Sequence, residues 1–321
     1  MSALGELEAD HVVMPDAEAV ALARRLWGLE VDGAERLATE QDDTFRLDEQ
    51  FILKVSNPAQ GFDEVDLECR AMVHAGERGV PVPRLLGGPE AIRDAAGQDR
   101  VARVMEFLAG TPLDSTGSTA AERERVGETL AALRLALADF SHPAQGRRCA
   151  WDLAHLPELA PLLDVVPDRD GLLRAGFERY VQEVAPHVPG LRHQVLHNDF
   201  SRSNLIVDHE AREFVTGVID FGDTVHTAIA IDVSTALLNQ LPREPVDDLL
   251  ADAHDVLRGY RRVADLDDLE LELLPGLVMG RVIARALITL HRAEKLPHNR
   301  TYILRNTEPG WMQLEWFMER R

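Results

Sequence analysis

Between Val195 and Asp223 the chain reads VLHNDFSRSNLIVDHEAREFVTGVIDFGD. Short apolar runs, Val195-Leu196, Leu205-Ile206-Val207 and Val218-Ile219, alternate with polar turns, which predicts strand, loop and strand. Gly222 permits a bend after Asp220-Phe221. The resulting hairpin places Asp199, Asn204 and Asp220 at one edge, and any fold for this chain must present that edge to something.

Two carboxylates and a carboxamide are hard oxygen donors of the kind Mg²⁺ takes while it keeps positions for water and substrate phosphates. Phosphoryl transfer needs such a set and a further carboxylate to receive the proton of the attacking hydroxyl. Asp199 stands five residues before Asn204, and Asp220 opens an Asp-Phe-Gly triplet, in the order of a kinase catalytic loop. On these residues, HxDxxxxN with Asn198 inside it and then IDFGD, the chain resembles the aminoglycoside phosphotransferase and choline kinase group. The continuation DFGDTVHTAIAIDVSTAL, with Asp223, His226-Thr227 and Asp232, is similar to a narrower branch, the hydroxylysine kinase-like phosphotransferases.

Composition excludes other classes. Fifty-five acidic against 34 basic residues leave a formal charge of −21, the wrong sign for a phosphate backbone, so nucleic acid is not an expected partner. The same charge suits cationic small molecules. Cys69 and Cys149 are too few for a disulfide framework, and no Cys/His spacing suggests zinc. The N-terminal MSALGELEADHVV lacks the pattern of a signal peptide. The apolar stretch Leu277 to Leu290, interrupted by Arg281 and Arg285, is too short to span a bilayer. A cytoplasmic protein without membrane contact is expected.

Along the chain, Asp16 precedes a helix marked by Val20, Ala23, Leu26 and Trp27. Ala34 to Leu37, Thr44 to Leu47 and Phe51 to Val55 read as strands, with Thr39-Glu40-Gln41-Asp42-Asp43 as a phosphate-covering loop. That loop contains no Gly, unlike its protein-kinase counterpart. Lys54 lies inside an apolar strand, where its charge needs a partner; it is the candidate cation for the nucleotide phosphates. Its partner is sought on the helix Phe62 to Arg78, with Glu68 first and Glu64 as alternative. Gly87 to Gln98 reads as a surface loop, Val101 to Met105 as a strand, and Met105 to Gly110 as a hinge. Helices follow at Glu122 to Phe140, Leu172 to Val184, Asp248 to Arg262 and Leu269 to Glu294, the last broken or kinked at Pro275-Gly276. The irregular Ser141 to Asp170 reads as a substrate-side insertion.

The resemblance implies an α+β, two-lobed, protein-kinase-like fold: a small β-rich lobe over residues 1–106 and a larger, mainly helical lobe over 107–321. It implies Asp199 as the catalytic base, Asn204 and Asp220 on Mg²⁺, and Lys54, Glu68, Met105 and Phe107 around ATP or GTP. Asp232 is expected to support the catalytic loop from the core. Asp223 is placed near the acceptor, where it can pair with an amine, and Arg281 and Arg285 are candidates for a substrate carboxylate. The acceptor implied first is 5-hydroxylysine or a related hydroxy amino acid; aminoglycosides, homoserine and choline-type alcohols stay open. A silent nucleotide-binding scaffold and a metal-dependent phosphatase are the readings from other classes. The tail NRTYILRNTEPGWMQLEWF is similar to the closing segment of the same branch.

Overall fold

The computed structural model describes residues 12–37, 39, 42–295 and 300–320. Most of the N-terminal segment, Glu40 and Gln41 of the expected phosphate loop, and His298 of the tail lie outside the described residues.

A helix α1 (Asp16–Trp27) opens the described chain, with Asp16 in its first turn and Pro15 at the cap position. Five antiparallel strands follow: β1 (Ala34–Leu37), β2 (Asp43–Leu47), β3 (Phe51–Val55), β4 (Leu85–Arg93) and β5 (Asp99–Glu106), in the order β1-β2-β3-β5-β4. The alternating side chains put Phe45, Leu47 and Leu53 against Leu22 and Ala23 of α1 in a small core. Helix α2 (Phe62–Glu77) sits between β3 and β4 in sequence, and Val65 and Cys69 pack with Val101 of β5. The expected loop from Gly87 to Gln98 is shorter than predicted. β4 runs to Arg93, because an edge strand tolerates Pro89 and the irregular register around it.

After Glu106 the chain becomes mainly helical. Helices α3 (Ala120–Ala136), α4 (Leu172–Glu183), α5 (Ile229–Leu238), α6 (Ala251–Val263), α7 (Asp268–Lys295), α8 (Arg300–Ile303) and α9 (Thr307–Met318) enclose the largest apolar core, with a run of 3-10 turns over Leu153–Asp164. Each fully buried Leu or Val there contributes about 1.5–3 kcal/mol relative to exposure. Helices α3 and α6 touch backbone to backbone at Gly127 and Gly259; a Cβ on Gly127 would stand 1.9 Å from the Val256 carbonyl. Helix α7 runs through Pro275 without a break, over 28 residues. By length and composition it is able to cross a membrane, longer than the apolar stretch suggests, yet 83% of its most apolar window is buried inside the protein, the position of a core helix.

Two small sheets join the halves. The short β6 (Thr111–Pro112) pairs with β8 (Leu205–Val207), which pairs with β9 (Val215–Val218); β7 (His193–Leu196) pairs with β10 (Val225–Ala228). The loop after β7 and the turn after β9 therefore emerge side by side, facing β3 and β5.

Candidate active site

β7 delivers His197 and Asn198 into the core and Asp199 out of it. Asn198 adopts φ 62°, the left-handed region that Asn tolerates better than most side chains. Three contacts hold it there: its N–H donates to Asp232 Oδ1 at 2.7 Å, its carbonyl accepts from Thr235 Oγ1 at 3.4 Å, and its Oδ1 accepts from Arg281 Nη2 at 2.7 Å. His197 is fully buried between Phe221 and Phe200, with ring centroids 4.7 and 6.2 Å away. Burial lowers its pKa, and the neutral ring fits its neighbours: Nε2–H donates to the Ile219 carbonyl at 3.1 Å while Nδ1 accepts from the Asp199 N–H at 3.3 Å.

Asp199 is locked by Asn204, whose Nδ2 donates to the Asp199 carbonyl at 3.0 Å and to Oδ2 at 2.6 Å. Burial, and then the neighbouring Asp220 carboxylate, push the Asp199 pKa up to about 6. Because Nδ2 of Asn204 is spent on Asp199, Oδ1 is the atom this amide has left for a cation. Ile219 N–H donates to the Asn204 carbonyl at 2.9 Å, which ties the two ends of the hairpin and sets Asp220 beside Asn204.

Asp220 also has a left-handed backbone, φ 61°, a strained setting of the kind held only by its surroundings. Burial works against its ionisation, but Lys54, with help from Arg103, holds it down to about 2. Its side chain keeps 42% of its surface open, and Lys54 Nζ lies 2.7 Å from Oδ1. Among the described residues no group of three or more His, Cys, Asp or Glu side chains is arranged to hold a metal ion by itself. An ionised, accessible Asp220, in the turn that Ile219 ties to Asn204, fits a hard divalent ion that takes its remaining ligands from phosphates and water.

The expected pair of Lys54 with Glu68 is not made. Lys54 reaches Asp220 and, at 3.7 Å, Asp42. Glu68, fully enclosed, is occupied by Arg103 Nη2 at 2.6 Å, Arg147 Nη1 at 3.1 Å and the Gln60 amide. Two fixed guanidinium forks desolvate against a carboxylate at less cost than one hydrated ammonium. Glu64 is not the partner either: it accepts the Gly61 N–H at 3.1 Å and caps α2.

Sequence reading missed Arg103 and Arg147. Arg103 stands directly opposite Lys54 across the β3–β5 ladder, and the signal was present: a second cation in the apolar run VARVM. Arg147 carries no such pattern; it comes from the irregular insertion and bridges Glu68 to the Gly222 carbonyl, just past Asp220. The expected phosphate loop also differs. Asp42 turns toward Lys54 and Arg103, while Asp43 is buried on Arg100 at 2.8 Å.

Met105 is buried in β5 between Ile52 and Leu85, and the Phe107 N–H donates to the Gln50 carbonyl at 2.9 Å. The Glu106 N–H is likewise taken, by Arg84. Asp223 closes the turn after Asp220 and accepts from Cys149 Sγ at 3.5 Å. Arg281, expected to offer its fork to substrate, is 3% exposed and bonded to the Trp151 carbonyl at 2.5 Å, to Asn198 and to the Ile231 carbonyl. It anchors the loop of Asn198 and Asp199 from behind.

The family model for the phosphotransferase enzyme family (APH) matches residues 34–266, which include both sides of this cleft. The chain belongs to that family. It is a small-molecule phosphotransferase with the kinase-like fold of its relatives. A hydroxylysine kinase of Danio rerio is 24% identical over 93% of this chain and 90% of its own length. Among solved structures, a microcompartment-associated aminopropanol kinase superposes with TM-score 0.72 at 18% identity, covering 95% of this chain and 98% of its own. An amicoumacin kinase in complex with AMP-PNP, Ca²⁺ and Ami superposes with TM-score 0.67 at 18% identity, over 90% and 93%.

Proposed function

We propose that the protein transfers the γ-phosphoryl group of ATP or GTP to a hydroxyl of an amine-bearing small molecule, with 5-hydroxylysine or a related hydroxy amino acid as first choice. The observation that carries this reading is the convergence of Asp199, Asn204, Asp220 and Lys54 in one cleft. The hydroxylysine kinase relative supports the choice of acceptor.

In this reading Asp199, held by Asn204, accepts a hydrogen bond from the acceptor hydroxyl and takes its proton as the phosphoryl group moves. Asp220 and Asn204 Oδ1 would hold Mg²⁺, which would supply positive charge against the nucleotide phosphates. Lys54 and Arg103, facing the same way from adjacent strands, counter the charge of those phosphates. Glu68 and Arg147 position that pair against the Gly222 turn. Residues 105–110 form the hinge beside the purine, with Met105 and Phe107 facing the nucleotide. Asp223 faces the acceptor amine. No phosphoenzyme is required, and the protein resides in the cytoplasm.

The test is nucleoside diphosphate release with Mg²⁺ and either ATP or GTP, against hydroxylysine, homoserine, choline, ethanolamine and aminoglycosides, with Asp199→Asn as control. Turnover with one acceptor and loss of it in the control is the expected result. Phosphate release without any acceptor, retained in Lys54→Ala, would instead select a phosphatase.

A further inference from the structure

Arg281 and Arg285 lie one turn apart on α7, yet their surroundings differ. Arg281 is enclosed by hydrogen bonds, and although burial lowers its pKa, Asp152, Asp232 and Asp199 oppose that shift. Arg285 is partly buried, and its Nη2 donates at 2.6 Å to Oε1 of Gln313, a neutral amide that itself donates to the Pro242 carbonyl. Among the described residues no carboxylate lies within ion-pair distance of Arg285. The charged group that bears on it is a second cation, Arg243, which also has neutral partners, Asn306 Oδ1 and the Arg305 carbonyl, both at 2.8 Å.

With 21 more acids than bases, several of this chain's enclosed arginines find carboxylates within ion-pair distance: Arg100 has Asp43, Arg103 and Arg147 share Glu68, and Arg123 has Asp255. A cation taken out of water without an anion costs stability, and burial together with Arg243 pushes the Arg285 pKa down to about 10. Its location supplies a reason to keep it. Arg281 grips Asn198, the residue before Asp199, and Arg285 stands about one helical pitch, ~5.4 Å, further along the same helix.

We infer that Arg285, with Arg243 at its rim, is the seat of a carboxylate on the phosphoryl acceptor, which makes the acceptor a hydroxy amino acid rather than an amino alcohol or an aminoglycoside. The inference rests on the kinase reading above. A planar guanidinium offers two parallel N–H donors to a carboxylate, and the acceptor supplies the anion that the fold withholds. One end of the acceptor is then fixed by Arg285 and its amine by Asp223, with the hydroxyl left to Asp199.

The test uses matched acceptors that differ by one carboxylate: homoserine against 3-amino-1-propanol, and 5-hydroxylysine against its decarboxylated amine. The full-length protein and Arg285→Met are compared by kcat/KM and by thermal melting. The carboxylate member is expected to be preferred by roughly 10–150-fold, the range of a hydrogen bond to a charged group. Arg285→Met is expected to bring that ratio to about one by lowering the carboxylate member alone, and to melt at or above the parent temperature, since it removes an unbalanced cation. Equal use of both members by the parent, an equal loss on both in Arg285→Met, or a lower melting temperature would overturn the inference. Turnover confined to amino alcohols would leave the kinase and remove only the carboxylate seat. Nucleotide binding with no turnover on any acceptor would remove both.

Discussion

The two walls of the cleft are built on different principles. On the hairpin wall, Asp199, Asn204 and Asp220 are placed by backbone: Asn198 and Asp220 sit in the left-handed region, and hydrogen bonds donated by Asn204 and Ile219 and accepted by Asp232 hold the loop. On the sheet wall the backbone is regular β-structure, and the side chains are placed by charge. Lys54 and Arg103 stand side by side and are kept together by Asp42, Glu68 and Asp220. A wall shaped by backbone can lose one functional group and keep its form, whereas a wall shaped by charge balance cannot lose one charge without affecting the rest.

The sharpest test of that difference is Asp199→Asn. It is expected to lower kcat by ~10²–10⁴, the usual contribution of positioned proton transfer, with a melting temperature close to the parent's. A variant within a few-fold of parent activity would remove Asp199 from its proposed role. On the other wall, Glu68→Gln leaves Arg103 and Arg147 without their anion. Breaking a buried pair in this way costs about 3–5 kcal/mol, so urea unfolding should show a large loss together with reduced activity; a loss under 1 kcal/mol would show that the sheet wall is not held by charge.

A third effect is set by pH. Asp199 has a raised pKa, so it is protonated and unable to act as a base below about 6. Log kcat/KM is expected to fall with unit slope as pH drops through that value and to level off above it. The sign for stability is the opposite of an ordinary salt-bridged acid: between the unfolded value near 4 and the folded value near 6 the native state binds the extra proton, so this group favours folding as pH falls. A flat rate profile down to pH 5 would contradict the assignment. The smallest effect belongs to Glu64→Ala. As a helix cap it should cost about 1 kcal/mol and leave kcat within twofold, whereas a partner of Lys54 would lower activity.

The hairpin wall was legible because its parts are close in sequence. Asp199 and Asn204 are five residues apart, Asp220 follows 16 later, and the short strands between them leave one way to fold. Helix limits such as Phe62–Glu77 and Leu172–Glu183 follow the apolar spacing in the same local manner. Gly87 to Arg93 departed from expectation because pairing with β5, a tertiary contact, outweighed its Gly and Pro content. The partners of buried charges were decided only in three dimensions. Lys54 faces Asp220 from 166 residues away, Glu68 draws Arg103 and Arg147 from 35 and 79 away, and two arginines on one helix face were separated into an anchor and an unbalanced cation. Residue type and spacing determined which groups this chain presents in the cleft; which carboxylate neutralises which cation depended on the low-dielectric interior, where a charge is paired with whatever the packing places within about 3 Å.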